Sequence, residues 1–241
     1  MSKLPIYVSI VSHGDLEEIY KNELSNLKEQ YNVIIRENIG TIIEHSSGPQ
    51  LIKNLNKRGF GANHNANFET IMEDDFWFVI CNPDIQIEPA VIQKLADTAS
   101  EKNADLIAPL LINSKTHEFD HNARKTPSLR GFICSKFGIK DPTRYTSDEL
   151  GTLTSPDWLS GAFIMINSRC YRKLNGFDER FFMYLEDADL CRRAKEKGYK
   201  LIFDKRHQAK HMARRGSKSI FSFLFWCHIK SILQYWKKYA F

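Results

Sequence analysis

The sequence predicts an α/β protein built on a doubly wound, mostly parallel sheet with helices on both faces, followed by an amphipathic helical tail. Short apolar runs alternate along the chain with longer segments of helical periodicity, which is the order expected of β-α-β units. The first two apolar runs, residues 5–11 and 32–36, flank a helical pattern over residues 15–30. Such a crossover favours parallel neighbouring strands.

The later elements follow from the same two periodicities. Predicted strands cover residues 76–81, 105–111, 158–167 and 199–203. Predicted helices cover residues 89–100 and 187–197, and a loop rich in Gly and Asn at 56–67 runs into another helix. Residues 113–157 are polar and broken by Pro and Gly, so we expect long loops there with a helix or two.

Charge is distributed unevenly along the 241 residues. All 29 acidic residues precede residue 205, whereas nine Lys and Arg follow Asp204. Apolar residues recur at helical spacing within 217–241, flanked by Lys and aromatic residues. This pattern fits a helix lying in a membrane surface, or a helix packed on the domain with a solvated basic face.

The class of protein is narrowed by what the sequence lacks. Neither a secretory signal peptide nor an apolar run long enough to span a bilayer is present, so we expect a cytoplasmic chain, peripheral on the inner membrane. The five cysteines form no CxxC pair, which fits free thiols in a reducing compartment. A nucleic-acid-binding module using the basic tail is an alternative. Because the clustered bases are confined to the tail, we expect no nucleic-acid partner.

Three polar clusters follow predicted strands, where α/β sheets bind ligands. The first, Asn56–Asn65, contains two glycines and reads as a ligand-binding loop or an ordinary glycine turn. The second, Asn82-Pro83-Asp84, offers a carboxylate for a divalent metal or a Pro-containing turn. The third combines Trp158–Phe163 with the acids at 186, 187 and 189, which suit a general base or a helix dipole.

The order and spacing of these motifs resemble the family 2 glycosyltransferases of the GT-A fold, in their rhamnosyltransferase-like branch. The resemblance spans roughly residues 5–230. It is carried by Val-Ser-Ile-Val-Ser-His, Gly-Phe-Gly-Ala-Asn-His-Asn, Asn-Pro-Asp, Trp-Leu-Ser-Gly-Ala and the long run Gly-Phe-Asp-Glu-Arg-Phe-Phe-Met-Tyr-Leu-Glu-Asp-Ala-Asp-Leu-Cys-Arg-Arg. It implies a GT-A catalytic domain over 1–212, with a nucleotide-binding half at 1–112, an acceptor-side half at 113–212, and a basic aromatic tail at 213–241.

The resemblance also implies roles for individual residues. Asp187, preceded by Glu186, is the expected catalytic base. Asp84 is the expected ligand of Mg²⁺ or Mn²⁺, and Asn82 stands where many relatives have a first acid. The resemblance offers His211 as a second metal ligand, with His207 as its competitor. The expected donor-binding residues are Ser9, His13, Glu37, Asn38, Gly59, Gly61, Asn65 and Asn82; Trp158 and Gly161 are expected on the acceptor side, and Arg214 and Arg215 near the diphosphate.

The implied reaction is an inverting transfer of a sugar from a nucleotide-diphosphate donor. The branch implies L-rhamnose from dTDP-L-rhamnose, with UDP-hexoses or UDP-galactofuranose as alternatives. The implied acceptor is a hydroxyl of a bacterial surface polysaccharide or O-antigen intermediate on a polyprenyl diphosphate carrier. A nucleotidyltransferase would need a glycine-rich basic loop after the first strand, which Ser12-His13-Gly14 does not provide. An inactive scaffold is disfavoured by the intact Asp84, Glu186 and Asp187.

Overall fold

A computed structural model describes residues 3–14, 16–39, 49–136, 139, 141–146, 148–212 and 223–239. The strands are β1 (Ile6–Ser12), β2 (Asn32–Glu37), β3 (Gln50–Lys53), β4 (Trp77–Cys81), β5 (Ile85–Gln86), β6 (Leu106–Asn113), β7 (Ala123–Arg124), β8 (Leu153–Thr154), β9 (Trp158–Leu159), β10 (Phe163–Asn167) and β11 (Leu201–His211). The α-helices are α1 (Leu16–Lys21), α2 (Phe60–Phe68), α3 (Pro89–Lys102), α4 (Leu129–Lys136), α5 (Ser168–Lys173), α6 (Glu186–Glu196) and α7 (Phe223–Tyr239).

One large sheet organises the described residues and confirms the predicted fold class. Its strands run in the order β3-β2-β1-β4-β10-β6-β11-β5, and β8 pairs with β11. The strands from β3 to β4 are parallel, as are β6 and β11, whereas β10 runs antiparallel to both β4 and β6. Because β10 begins where β4 ends, the segment before β10 lies at the carboxyl edge of the parallel strands.

Both faces of the sheet are covered by helices. Val79 and Cys81 of β4 point into a cluster with Ile92 and Leu95 of α3. The alternate residues of the same strand, including Phe78, join a second cluster that contains side chains of α5 and α6. The near-continuous apolar strand Trp77–Cys81 is buried throughout because it has a hydrophobic layer on each side.

The structure differs from the predicted elements in three places. The expected helix over 15–30 is divided into α1 and a 3₁₀-helix, Leu24–Glu29, because Glu23 adopts a left-handed conformation with φ 58°. The expected strand 158–167 is interrupted by a turn between β9 and β10. The last strand extends well past residue 203, with a register shift between Asp204 and Gln208 that carries it to His211.

The tail forms the helix α7, which packs on the domain through one face. Ile232 and Tyr235 are buried against Phe181, Leu185 and Ala188. The opposite face leaves Phe223, Trp226 and Leu233 exposed, at 60%, 63% and 61% respectively. Among the helices that the structure describes, none combines the length and apolarity needed to cross a membrane. The five cysteines are free thiols.

Candidate active site

Asp187 lies in the first turn of α6, directly after a strained piece of backbone. Tyr184 and Leu185 both adopt left-handed conformations, with φ 72° and 65°. Two consecutive non-glycine residues in this region cost on the order of 1–3 kcal/mol each and are concentrated at functional sites. The turn aims the Asp187 carboxylate at Gly161, whose N–H donates to Oδ2 at 2.8 Å, while the N–H of Ala188 donates to Oδ1 at 2.8 Å.

Burial sets the protonation behaviour of both acids at the start of α6. Burial raises the pKa of the Asp187 carboxyl, and the N–H groups of Gly161 and Ala188, the Trp158 indole and the Arg124 charge oppose that rise. Burial and the neighbouring Asp187 charge raise the pKa of Glu186 well above its ordinary value. The raised pKa of the Asp187 carboxyl brings it closer to the pKa of an effective general base. The hydrogen bonds from Gly161 and Ala188 keep this carboxylate oriented.

Asp84 follows β4 and meets the end of β11. Its Oδ1 lies 3.3 Å from Nε2 of His211, and Nδ1 of the same imidazole lies 2.5 Å from the Asp120 carboxylate. Burial lowers the pKa of His211, but the hydrogen bonds to Asp120 and Asp84 outweigh it and raise this pKa to about 9. His207, the competing candidate, lies instead 3.8 Å from Asp204.

The pair formed by Asp84 and His211 has the spacing of two ligands of one divalent cation. Adjacent ligands in an octahedral Mg²⁺ or Mn²⁺ site are about 3 Å apart, since each metal–oxygen bond is about 2.1 Å long. Asp120 accepts from the far side of the imidazole, as partners of metal-bound histidines commonly do. Within the described residues, no group of three or more His, Cys, Asp or Glu side chains surrounds one point. Asp84 and His211 could therefore hold a cation that takes its other ligands from phosphate oxygens and water.

Asp84 and Asp187 lie at the same edge of the sheet. The N–H of Asn82 donates to the carbonyl of Ala162 at 2.9 Å, and the preceding residue, Gly161, is bonded to Asp187. Gly161 also has little free space, because a Cβ there would lie 3.1 Å from the Phe60 ring and 3.4 Å from Asp187 Cβ. The turn between β9 and β10 thus contacts both the segment that carries Asp84 and the Asp187 carboxylate.

Glu37 and Asn38 shape the loop beyond β1 and β2. The buried Glu37 carboxylate accepts from the Ser12 hydroxyl at 2.6 Å and from the N–H groups of Gly14 and Ile39 at 3.0 and 3.1 Å. The Asn38 amide bonds the backbone N–H and carbonyl of Arg58, both at 2.8 Å, and its Nδ2 lies 3.2 Å from His13. Both side chains hold the loops at the edge of the sheet together, and their contact with a donor stays a prediction.

The structure places Ser9 in the core instead of on the cleft. Ser9 is fully buried beneath α2, where its hydroxyl lies 2.7 Å from His64 Nδ1 and accepts from Asn67 at 2.8 Å. The Ser9 hydroxyl thus holds α2 against β1, and contact of Ser9 with a donor stays a prediction.

Gly59, Gly61 and Asn65 dock α2 against the segment that leads to Asp187. A Cβ on Gly59 would lie 2.6 Å from the carbonyl oxygen of Phe182, and one on Gly61 would lie 2.5 Å from Phe177 Cβ. Asn65 donates to the Phe177 carbonyl at 2.9 Å and accepts from its N–H at 2.8 Å. The two longest sequence motifs thus pack on each other, and the glycines permit that contact.

The acceptor-side half contributes residues that the sequence patterns did not identify. Trp158 lies beside Arg124, with the guanidinium 5.0 Å from the ring centroid, and Arg124 donates to Asp141 at 2.9 Å. Asp120, Arg124 and Asp141 lie in the irregular stretch 113–157, where no periodicity marks individual positions. Only the strand pairing of β7 with β9 brings Arg124 next to Trp158.

A charged clasp joins α6 to α7. The carboxylate of Asp189, which is fully buried, accepts from Lys238 at 2.5 Å, from the Tyr239 hydroxyl at 2.6 Å and from Arg193 at 2.7 Å. Asp189 is two residues from Asp187, so the tail helix supports the start of α6. Arg214 and Arg215, expected near the diphosphate, lie outside the described residues.

Several known proteins are similar to this chain. No family model matches the chain. It is 31% identical to the rhamnosyltransferase WbbL of Escherichia coli (strain K12), over 95% of this chain and 92% of that protein. It is 34% identical to the N-acetylglucosaminyl-diphospho-decaprenol L-rhamnosyltransferase of Mycobacterium tuberculosis (strain H37Rv), over 54% of this chain and 44% of that protein.

A solved structure shares the fold. The structure of GalNAc-T7 with UDP, GalNAc and Mn²⁺ superposes with a TM-score of 0.72 at 13% identity, covering 98% of this chain and 48% of that one. This likeness supports the fold, and the likeness to WbbL, which spans nearly both chains, supports the activity. The chain is a glycosyltransferase and belongs to the rhamnosyltransferase-like branch of the family 2 glycosyltransferases.

Proposed function

We propose that this chain transfers L-rhamnose from dTDP-L-rhamnose, with inversion, to a hydroxyl of a lipid-linked sugar during assembly of a bacterial surface polysaccharide. The single observation that carries the proposal is the Asp187 carboxylate, held by two N–H groups at the edge of the sheet that also holds Asp84 and His211. The relatives named as rhamnosyltransferases support rhamnose as the sugar. The mycobacterial relative's name supports a diphosphate-linked N-acetylglucosamine as the acceptor.

In the proposed reaction, Asp187 takes the proton of the acceptor hydroxyl as its oxygen attacks the anomeric carbon. The new carbon–oxygen bond forms on the face opposite the breaking bond to the diphosphate, and dTDP departs with the electron pair. The N–H groups of Gly161 and Ala188 keep the Asp187 carboxylate oriented toward that hydroxyl. A nearby carboxylate also favours the positive charge that develops on the sugar ring.

A divalent cation fits the pair Asp84 and His211, with Asp120 orienting the imidazole. When bound, it would neutralise charge on the departing diphosphate. Asn82, at the end of β4, is positioned beside this pair and retains its predicted role toward the donor. The carboxylate suits either Mg²⁺ or Mn²⁺, whereas the imidazole favours Mn²⁺, because Mg²⁺ prefers oxygen ligands.

The outer face of α7 supports attachment to the inner face of the cytoplasmic membrane. Phe223, Trp226, Lys230, Leu233 and Lys237 recur at helical spacing on this face, so apolar anchors alternate with positive charges. Such a face suits the boundary between anionic headgroups and acyl chains, where a lipid-linked acceptor is found. Packing on the domain and contact with a membrane are compatible, because they use opposite faces of one helix.

The donor is tested by incubating the protein with dTDP-L-rhamnose, UDP-glucose, UDP-galactose or UDP-galactofuranose and a synthetic N-acetylglucosaminyl-diphospho-prenol. We expect transfer from dTDP-L-rhamnose alone, and an inverted linkage by NMR. Turnover of a UDP-sugar without turnover of dTDP-L-rhamnose would replace the proposal by a hexosyl or galactofuranosyl transfer. Repeating the assay after EDTA treatment, with and without added Mn²⁺, tests the cation.

Membrane attachment is tested by sedimentation with vesicles of phosphatidylglycerol and phosphatidylethanolamine. We expect Trp226→Ser combined with Leu233→Ser to lower the bound fraction about tenfold, since each residue would lose burial worth about 1 kcal/mol or more. Met72→Ser is the control, because Met72 is an apolar residue outside α7 that is even more exposed than Trp226 and Leu233. Equal binding by the α7 variant and the wild type would refute this attachment.

A further inference from the structure

A cavity lies between α7 and the loops that follow β7, on the acceptor side of the sheet edge. One part of its wall is polar and the rest is largely aromatic. Its wall includes Arg124, Asp141, Phe132, Trp158, Tyr235 and Trp236. The combination of a charged group with aromatic rings suits a ligand that has both an anionic group and a sugar or lipid portion.

Arg124 and Asp141 are the charged residues of the wall, and Arg144 lies directly behind them. Arg124 and Arg144 face each other across a β-bridge, and both approach Oδ2 of Asp141, at 2.9 and 3.7 Å. Thr143 occupies the other oxygen of Asp141 through its N–H at 2.9 Å and its hydroxyl at 2.7 Å. One carboxylate, Asp141, therefore serves two guanidinium groups, while the charges of Asp187 and Asp120 act on Arg124 from farther away.

Both arginines also have hydrogen-bonding capacity to spare. The Nε atoms of Arg124 and Arg144 are buried and have no hydrogen-bond partner in the part of the chain that the structure describes. A buried donor without a partner costs about 1–3 kcal/mol, so such atoms are expected where a ligand completes the bond. Guanidinium groups donate hydrogen bonds and accept none, so a ligand bound by them must have acceptor atoms such as oxygens.

The position of the cluster relates it to the acceptor. Arg124 pairs in register with Trp158, and β9 leads directly into the turn whose Gly161 holds Asp187. Arg124 and Asp187 are near enough for their charges to interact. Asp84 and His211, which we assign to the donor diphosphate, lie on the other side of the turn that holds Asp187. Ala162 of this turn accepts a hydrogen bond from the N–H of Asn82, two residues before Asp84.

We propose that Arg124 and Arg144 form a binding site for the phosphate group that joins the acceptor sugar to its lipid carrier. This assignment rests on the proposed function, because it requires an acceptor linked through a diphosphate. Trp158, beside Arg124, packs against the sugar that is extended, and the aromatic side chains of α7 line the way toward the lipid. Arginine suits this role because its planar fork binds two phosphate oxygens at once.

The test compares two acceptors that share N-acetylglucosamine, the diphospho-prenol and the uncharged octyl glycoside. Binding of each is measured by calorimetry without donor, and transfer is measured with dTDP-L-rhamnose. We expect Arg124→Gln and Arg144→Gln each to weaken binding of the diphosphate acceptor about tenfold, because each removes a charge-assisted hydrogen bond. Binding of the octyl glycoside and the KM for dTDP-L-rhamnose should stay unchanged.

Two further variants keep the result interpretable. Arg124→Lys retains the charge beside Asp141 and so protects the fold, but loses the planar fork; we expect an intermediate loss of diphosphate binding. Arg169→Gln is the matched control, since Arg169 is an exposed arginine paired with Asp75 beyond the opposite end of β10. Equal losses for both acceptors, or no loss for either, would overturn the phosphate site.

The outcome separates this site from the proposed donor and reaction. If the diphosphate acceptor binds in a way that depends on Arg124 but no rhamnose is transferred from dTDP-L-rhamnose, the phosphate site stands and the proposed donor is refuted. If dTDP-L-rhamnose is a donor but the diphosphate acceptor binds equally well to the wild type and to both arginine variants, the proposed reaction stands and the phosphate site is refuted.

Discussion

The two sides of the sheet edge that we assign to the donor and to the acceptor differ in the hydrogen bonding of their buried polar atoms. On the donor side, Glu37 and Asn38 are bonded to neighbouring backbone and side chains. The three asparagines of α2 are bonded as well, and His64 Nε2 of the same helix is the exception, since it has no hydrogen-bond partner among the described residues. On the acceptor side, Arg124 Nε, Arg144 Nε and Glu186 Oε2 have no hydrogen-bond partner among the described residues. The donor side is thus organised before any ligand arrives, whereas the acceptor side keeps bonding capacity that a ligand can complete.

Asp187 lies between the two sides, and its replacement should have the largest effect. We expect Asp187→Asn to lower kcat about 10²- to 10⁴-fold, because the amide cannot accept the acceptor's proton. Donor affinity, measured by calorimetry with dTDP-L-rhamnose, should change little since the donor side is held by its own hydrogen bonds. Glu196→Gln, an exposed change in the last turn of the same helix, is the control. Normal turnover by Asp187→Asn would remove Asp187 as the base.

Asp120 offers a sharper test of the donor side than the direct ligands do. We expect Asp120→Asn to raise the Mn²⁺ concentration that gives half-maximal activity about 10- to 100-fold, because the imidazole of His211 loses its orienting carboxylate. Saturating Mn²⁺ should restore the rate in Asp120→Asn, whereas Asp84→Asn should stay impaired. Full activity of the wild type in EDTA would mean that the contacts among Asp84, His211 and Asp120 are structural.

The same contrast explains how far the sequence alone could predict the molecule. The strands β1, β2, β4 and β6 and the helix α6 were predictable because buried apolar runs and helical periodicity mark them. The motifs placed Asp84 after a strand and Asp187 at a helix start, whereas His211 was suggested by the family resemblance alone. The role of Gly59 and Gly61 was not predictable, since a glycine motif does not tell whether a ligand or Phe182 approaches it. Asp120, Arg124 and Asp141 were missed because irregular loops, whose contacts depend on tertiary structure, carry no period.

A change in the clasp at Asp189 shows whether α7 supports the start of α6, and with it the acceptor side, or is only a tail packed on the domain. We expect Lys238→Met to lower the free energy of unfolding by about 1–3 kcal/mol, since the buried Asp189 carboxylate loses a charged donor. Urea unfolding measures this change, and the adjacent Lys237→Met is the matched control on the outer face. We also expect kcat to fall, because the start of α6 loses support. Equal stability of the two variants would show that the clasp contributes nothing.

Glu186 gives the smallest expected effect and tests whether the unsatisfied atoms of the acceptor side cost stability. Its folded-state pKa is raised by burial and by Asp187, so this carboxyl stabilises the fold at low pH and loses that contribution as pH rises through the raised value. Glu186→Gln removes the ionisable group. The variant should therefore melt a few degrees above the wild type at pH 8 and near it at pH 5, as read by thermal unfolding. A variant less stable than the wild type at pH 8 would mean that the ionised Glu186 has favourable partners, and the contrast between the two sides would then fail at this residue.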